Sequence, residues 1–183
     1  ADFRVDLFYR LGLSIRRVTS SISRVCVGRD TRTTSETMQR ALVSGLLVSG
    51  VEVFDCGLCP TPVLSSTVVE TASDAGVMIT ASHNPPQYTG AKLFDRRGAG
   101  FPRETERRIE DILNEPGESR HVSKPQLHHI HEKSHNLYIR RLMAHFSKSD
   151  FSSDIRVLVD CGHGATSTLA DKMFLNLPTQ AEV

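Results

Sequence analysis

The stretch Thr80-Ala81-Ser82-His83-Asn84-Pro85-Pro86, with Gly90-Ala91-Lys92 close behind it, brings a hydroxyl, an imidazole and an amine together in a few residues. A serine hydroxyl is a weak nucleophile without a base. The imidazole of His83, directly after it, can hydrogen-bond a phosphate or its own loop. Asn84-Pro85-Pro86 can continue neither a strand nor a helix, so Ser82 is expected on a stiff, exposed loop. The same residue types also suit an ordinary turn.

What positions the serine is the run before it. Ala75-Gly76-Val77-Met78-Ile79 is short and apolar and reads as a buried strand, which puts Ser82 just past a strand's C-terminal end. In an open α/β sheet ligands bind there. Upstream, Phe8, Leu11, Ile15, Val18 and Ile22 recur at near-helical spacing, with Gly12 weakening that helix slightly. Arg24 to Gly28 is a strand, followed by the turn Arg29-Asp30-Thr31-Arg32. Thr33-x-x-Glu36 has the form of a capping box for a helix that Gly50 stops. Val51 to Phe54 is the next strand, and Thr61-Pro62 opens a helix reaching about Ala72.

After the serine loop come a strand at Ala91 to Phe94, a turn-rich segment, and a polar helix from about Pro102 to Leu113 that ends before Pro116-Gly117. Residues 114 to about 131 read as a connection with room for one short strand. Leu137, Leu142, Met143 and Phe146 mark a further helix. Ile155 to Asp160 is an apolar strand running into Cys161-Gly162-His163-Gly164-Ala165 and a helix from Thr166 to about Leu175.

Alternation of strands and helices predicts a three-layer α/β/α domain with a mixed sheet of about four strands, plus the opening β-α unit of a second α/β domain. The expected division is 1–134 for the first domain, 135–154 for a connecting helix and 155–183 for the start of the second. A lone βα unit builds no core of its own, so the last segment must pack on the first domain or be poorly ordered.

Of the 183 residues, 39% are hydrophobic, enough for a real core. The net charge of +1 gives no global field to recruit nucleic acid or an anionic membrane, so any anion needs a local pocket. No apolar run approaches the roughly 20 residues of a membrane span, and Ala1-Asp2-Phe3-Arg4 does not begin a secretory signal, so a cytoplasmic protein is expected. Cys56-x-x-Cys59 lacks the second ligand pair that a zinc site wants, and the four cysteines are expected to stay reduced. His128, His129, His131 and His135 crowd one region without a recognised metal spacing and read as a solvated linker.

Thr-Ala-Ser-His-Asn-Pro after a strand, with Tyr88-Thr89-Gly90-Ala91-Lys92 following, resembles the active-site serine loop of the α-D-phosphohexomutases, the phosphomannomutase/phosphoglucomutase family. Gly28-Arg29-Asp30-Thr31-Arg32 and Gly57-Leu58-Cys59-Pro60-Thr61-Pro62 resemble two further family segments in the expected order, extending the likeness over about residues 5 to 177. The resemblance implies that Ser82 is a phosphoserine exchanging its phosphoryl group with a hexose phosphate by way of a hexose 1,6-bisphosphate. The net result is transfer between the 1- and 6-positions. It implies Mg2+, held by Ser82 through its phosphate, to neutralise the transferring group.

It also implies Lys92 as general acid/base with His83 assisting. A lysine in that role needs its pKa lowered towards neutrality, which a nearby arginine can do. Arg29 and Arg32 are the candidates and the expected substrate-binding residues, although either can instead anchor the loop through an ion pair with Asp30 or Glu36. Thr89 stands where many members have asparagine.

The family's N-terminal arginine segment, Asp-Gly-Asp-Gly-Asp metal loop, sugar loop and C-terminal phosphate-binding domain have no counterpart in the sequence. The chain therefore reads as an incomplete part of an enzyme, inactive alone and completed by the remaining domains. Phosphomannomutase, phosphoglucomutase and phosphoglucosamine mutase stay open, with Tyr88 and the paired prolines leaning towards the first two. The alternative is a non-catalytic phosphate-binding or interaction module derived from the first domain. A generic nucleotide-binding domain has no Gly-rich phosphate segment here to support it.

Overall fold

The computed structural model describes residues 4–18, 21–113, 115, 124, 126–146, 156–174 and 180–182. The first part of the chain runs α1 (Val5–Val18), β1 (Arg24–Arg29), α2 (Ser35–Val48), β2 (Glu52–Leu58), α3 (Thr61–Glu70), β3 (Ala75–Ile79), β4 (Ala91–Asp95) and α4 (Arg103–Leu113). There follow β5 (Leu127–His129), α5 (His131–Phe146), β6 (Arg156–Leu158), a 3-10 turn at Ala165–Thr168, α6 (Ala170–Phe174) and β7 (Gln180–Glu182).

The main sheet has the order β4-β3-β1-β2-β5. β1 lies parallel to β2 and β3, β2 parallel to β5, and β4 antiparallel to β3, so the sheet is mixed as expected. It has a fifth strand beyond the expected four, because β5 in the connecting stretch pairs with Val53, Phe54 and Asp55.

Helices cover both faces. Side chains alternate along each strand, so Val25, Val27, Val77 and Ile79 join the core under α1, α2 and α4, with Ile15, Leu42, Leu46 and Ile109. Cys26 and Met78 face the other way, into a core with Val63, Leu64 and Val68 of α3 and Ile139 of α5. Every residue of β3 is buried. A strand covered on both faces must be apolar throughout, which explains the continuous run before the serine.

Gly12 does more than weaken α1. It faces Gly45 of α2, and the two helices touch backbone to backbone there. A Cβ on Gly45 would lie 2.1 Å from the Tyr9 carbonyl oxygen, and one on Gly12 would lie 2.3 Å from that of Leu42. The start of α2 also departs from expectation. The helix opens at Ser35, with Thr34 at the cap position and no side-chain cap bond. The Thr34 hydroxyl is engaged elsewhere, 2.6 Å from that of Thr89, while Glu36 pairs with Arg40 and Arg29. Thr61 is the first residue of α3 and not its cap. α1 ends at Val18, with residues 19–20 outside the described set.

The histidine-rich segment is a strand and a helix start and not a linker, although His128, His129 and His131 are solvated as expected and only His135 is buried. Although β5 is exposed, His128 pairs with Glu52 at 3.0 Å and His129 with Asp55 at 3.1 Å. His135 is only 4% exposed, edge-on to the His131 ring. Burial, assisted by repulsion from His131 and Lys172, pushes its pKa down to about 4.

The connecting helix begins earlier than expected, at His131, and residues 147–155 lie outside the described set. Beyond it, β6 and β7 form a separate parallel pair. This part of the chain packs on α3 and α5 through Leu169, which is 1% exposed in their core. The helix expected over Thr166 to Leu175 divides into the 3-10 turn and α6, and residue 175 is not described. Cys26, Cys56 and Cys59 are free and buried, and burial pushes the Cys59 thiol up to about 12.

Gly45→Ala should lower unfolding free energy by about 2 kcal/mol or more, as overpacking does, whereas Gly100→Ala, whose Cβ meets nothing within 4 Å, should be neutral; chemical denaturation of both variants measures this. His135 is held neutral in the folded chain while the unfolded chain takes up its proton near the ordinary histidine value of 6.5. Its contribution is therefore complete above that pH and falls as the pH drops towards about 4. The stability advantage over His135→Leu should shrink across that window by up to about 3 kcal/mol, as read from denaturation curves at pH 7, 5.5 and 4.

Candidate active site

Ser82 lies three residues past the end of β3, on an exposed loop whose ends are drawn together by the Thr80 N–H donating to the Gly90 carbonyl at 2.9 Å. Within the loop the Asn84 N–H donates to the Ala81 carbonyl and the Tyr88 N–H to the Pro85 carbonyl, forming two consecutive turns. Ser82 has a φ of 57°, the left-handed region that a residue with a Cβ rarely occupies. Its backbone is held from both sides. Its N–H donates to Thr80 Oγ1 at 3.0 Å, and its carbonyl accepts from Arg32 Nη2 at 2.9 Å. Its Oγ is 3.5 Å from His83 Nδ1, at the outer limit of a hydrogen bond.

Arg32 reaches this loop from the turn after β1. Its Nε donates to Asp30 Oδ2 at 3.1 Å. Nη1 donates to the carbonyls of Pro85 at 2.7 Å and Tyr88 at 3.1 Å, and Nη2 to those of Ser82 at 2.9 Å and Asn84 at 2.7 Å. Asp30 is fixed in turn. Its Oδ1 accepts from the Arg32 N–H at 3.1 Å and from the Ser35 hydroxyl at 2.5 Å, and its own N–H donates to the Ile79 carbonyl at 3.0 Å. The turn that ends β1 is thereby tied to the end of β3, and through Arg32 to the serine loop.

The two candidate arginines go separate ways. Arg32 lines an open cleft of about 490 Å³ that also contains Ser82, Thr80 and Asn84. Arg29 lines a different cavity of about 440 Å³ beside Gln39, Asp55 and His129, where it makes a 3.5 Å contact with Glu36. Lys92 is exposed on β4 opposite Met78, outside the lining of the serine cleft. Met78 stands two residues before Thr80, about 7 Å along a strand, a span comparable to a lysine side chain.

The turn after β6 supplies a wall that sequence reasoning did not assign. Gly164 and Ala165 line the serine cleft. Their turn is closed by the Gly164 N–H on the Cys161 carbonyl at 2.8 Å, with Gly162 and His163 both at positive φ. The glycine spacing was the visible signal, and only the packing of α6 shows where the turn goes. Thr34 was missed as well, because its partner Thr89 is far away in sequence.

The profile of phosphoglucomutase/phosphomannomutase, alpha/beta/alpha domain I, matches residues 1–120. A probable phosphoglucosamine mutase of Pyrococcus abyssi is 38% identical over 167 residues, covering 90% of this chain and 36% of the relative. A phosphoglucosamine mutase of Caldanaerobacter subterraneus is 37% identical over 171 residues, covering 92% of this chain and 38% of its own. The chain thus spans less than two-fifths of the length of these relatives. Among solved structures, a putative phosphomannomutase from Thermus thermophilus superposes with a TM-score of 0.74 at 29% identity, over 98% of this chain and 42% of that one. Its fold and a profile match over more than half its length place the chain in the phosphoglucomutase/phosphomannomutase family of α-D-phosphohexomutases, whose domain I it carries.

Proposed function

We propose that Ser82 is the phosphoryl carrier of a phosphohexomutase that interconverts the 1- and 6-phosphates of a hexose or hexosamine. The observation that carries this reading is the serine itself: exposed past the end of β3, backbone-locked at positive φ, and opening on the cleft. Such a residue can meet a substrate without moving the fold. In the first half-reaction a sugar hydroxyl attacks the phosphorus of phosphoserine. The Oγ–P bond breaks, the new P–O bond forms, and the hydroxyl proton leaves to a base. The resulting bisphosphate turns over and returns its other phosphate to Ser82 Oγ, the base giving its proton back to the oxygen released.

Lys92 is our proposed general acid/base, with His83 assisting from beside the serine. The relatives named as phosphoglucosamine mutases support keeping amino sugars among the candidate substrates, against the lean of Tyr88 and the paired prolines. Arg29, in its separate cavity, remains a proposed substrate contact only from a sugar phosphate that extends beyond the serine cleft. Residues 155–183 we read as the start of a second domain, and the partial coverage of the relatives supports further domains in the working enzyme.

Among the described residues no three His, Cys, Asp or Glu side chains converge as a metal-binding set. The phosphate on Ser82 would be the ligand that this chain gives Mg2+, which fits that ion's habit of binding few protein groups together with substrate phosphate. When bound, the ion would neutralise charge on the transferring group. No described helix is long and apolar enough to cross a membrane, and the free cysteines support a reducing, cytoplasmic setting.

Intact-mass measurement of the full-length gene product treated with a hexose 1,6-bisphosphate should show one phosphate, absent in Ser82→Ala; phosphate persisting there on another residue would refute the assignment. Lys92→Met should lower turnover by about 100-fold or more while Ser82 still becomes phosphorylated. Near-normal turnover would leave Lys92 without a catalytic part.

A further inference from the structure

We propose that Arg32 is a positioning residue that holds the Ser82 backbone, and with it the Cα–Cβ bond that carries the hydroxyl, and that it binds no phosphate itself. The inference rests on the reading of Ser82 as phosphoryl carrier. A guanidinium has five N–H donors and no acceptor. In this chain all five are engaged: one on the Asp30 carboxylate, four on the carbonyls of Ser82, Asn84, Pro85 and Tyr88. An incoming phosphate would find no donor left on it. Its charge is also already paired with Asp30, in a side chain only 11% exposed.

The four carbonyls turn inwards because one planar fork gathers them. A loop with two prolines has few N–H groups of its own to offer these acceptors, and Arg32 supplies the missing donors. The consequence reaches the serine directly. Ser82 sits in a left-handed conformation that strains a residue with a Cβ, and it persists because Thr80 holds its N–H while Arg32 holds its carbonyl. With φ and the carbonyl plane fixed, the Cα–Cβ bond has one direction, so the side chain leaves the loop from one fixed point on the lining of the cleft. Released, the serine would relax to negative φ and swing that bond away.

Lysine cannot take over this task. Its ammonium is a point charge with three donors on a flexible stem, whereas the four carbonyls and one carboxylate match a planar fork. A residue that bound phosphate through charge would tolerate lysine far better. The substitution therefore separates the two roles.

The test compares wild type, Arg32→Lys and Arg32→Ala in the full-length gene product. Hydrogen exchange of residues 82–90 should accelerate at least tenfold in both variants, with the amides of β1 and β3 still protected as evidence that the fold stands. In Arg32→Lys, kcat for hexose phosphate interconversion should fall about 100-fold, as for a misplaced reacting group, with KM for the hexose phosphate unchanged. Added guanidinium should restore part of the turnover of Arg32→Ala, and added ethylammonium should not.

A raised KM with kcat retained would make Arg32 a substrate ligand and overturn the proposal, as would unchanged loop exchange in Arg32→Lys. Loop exchange does not depend on the reaction. Turnover retained by Ser82→Ala, which would defeat the serine reading, is thus told apart from a failure of the clamp.

Discussion

A buried cation is tolerable only when its charge is paired and its donors are met, and the Arg32 guanidinium meets both conditions on behalf of the serine loop. Asp30 pairs the charge, and loop carbonyls take the remaining donors. Asp30 cannot drift, because its N–H is bonded to the Ile79 carbonyl at the end of β3 and its carboxylate to the Ser35 hydroxyl at the start of α2. The loop that carries Ser82 therefore inherits the rigidity of two central strands and a helix, although hardly any of its own surface is buried. The tie between Thr34 and Thr89 adds a second attachment at the loop's far end.

What could be read from the sequence was what is local. The apolar run before Thr80 specifies a strand, the prolines specify a loop, and together they place Ser82 past a strand's end. An ion pair between Arg32 and Asp30 was legible too, since the partners are two residues apart. The carbonyl contacts were not. Every residue has a carbonyl, so an arginine that binds four of them leaves no trace in side-chain chemistry, and these acceptors lie some fifty residues downstream. The split between Arg29 and Arg32 was illegible for a related reason. Arg29 ends a strand and Arg32 sits in the following turn, so their side chains leave towards different cavities despite their closeness in sequence.

The fold repeats the pattern. Gly12 is poor in a helix by propensity, and its real reason, the backbone contact with α2 at Gly45, exists only once the two helices cross. Thr33-x-x-Glu36 has the residues of a capping box, yet the neighbouring Thr34 hydroxyl is more useful to the serine loop and the helix starts one turn position later without a side-chain cap. In the histidine-rich stretch, composition pointed to solvent, but β5 gains backbone pairing with β2 together with two carboxylate partners. His135 is buried on α5 one turn before Ile139, where it meets the Leu58 backbone at the end of β2. Polar composition predicted the exposure of β5 correctly but not its place in the sheet.

The serine side and the Gly164–Ala165 side of the cleft are attached to the fold differently, although β1 and β3 reach both cores through alternate side chains. The serine side depends on Asp30, Arg32 and the ends of β1 and β3. The opposite side, Gly164 and Ala165, depends on Leu169 and Ala170 just behind them, and Leu169 joins the α3–α5 core on the other face of the sheet. The small β6–β7 pair contributes little to that hold, since Leu158 is 80% exposed. Met78 of β3 and Leu169 share the α3–α5 core, so packing under α5 and α6 bears on both sides of the cleft, whereas the Arg32 clamp acts on the serine loop alone.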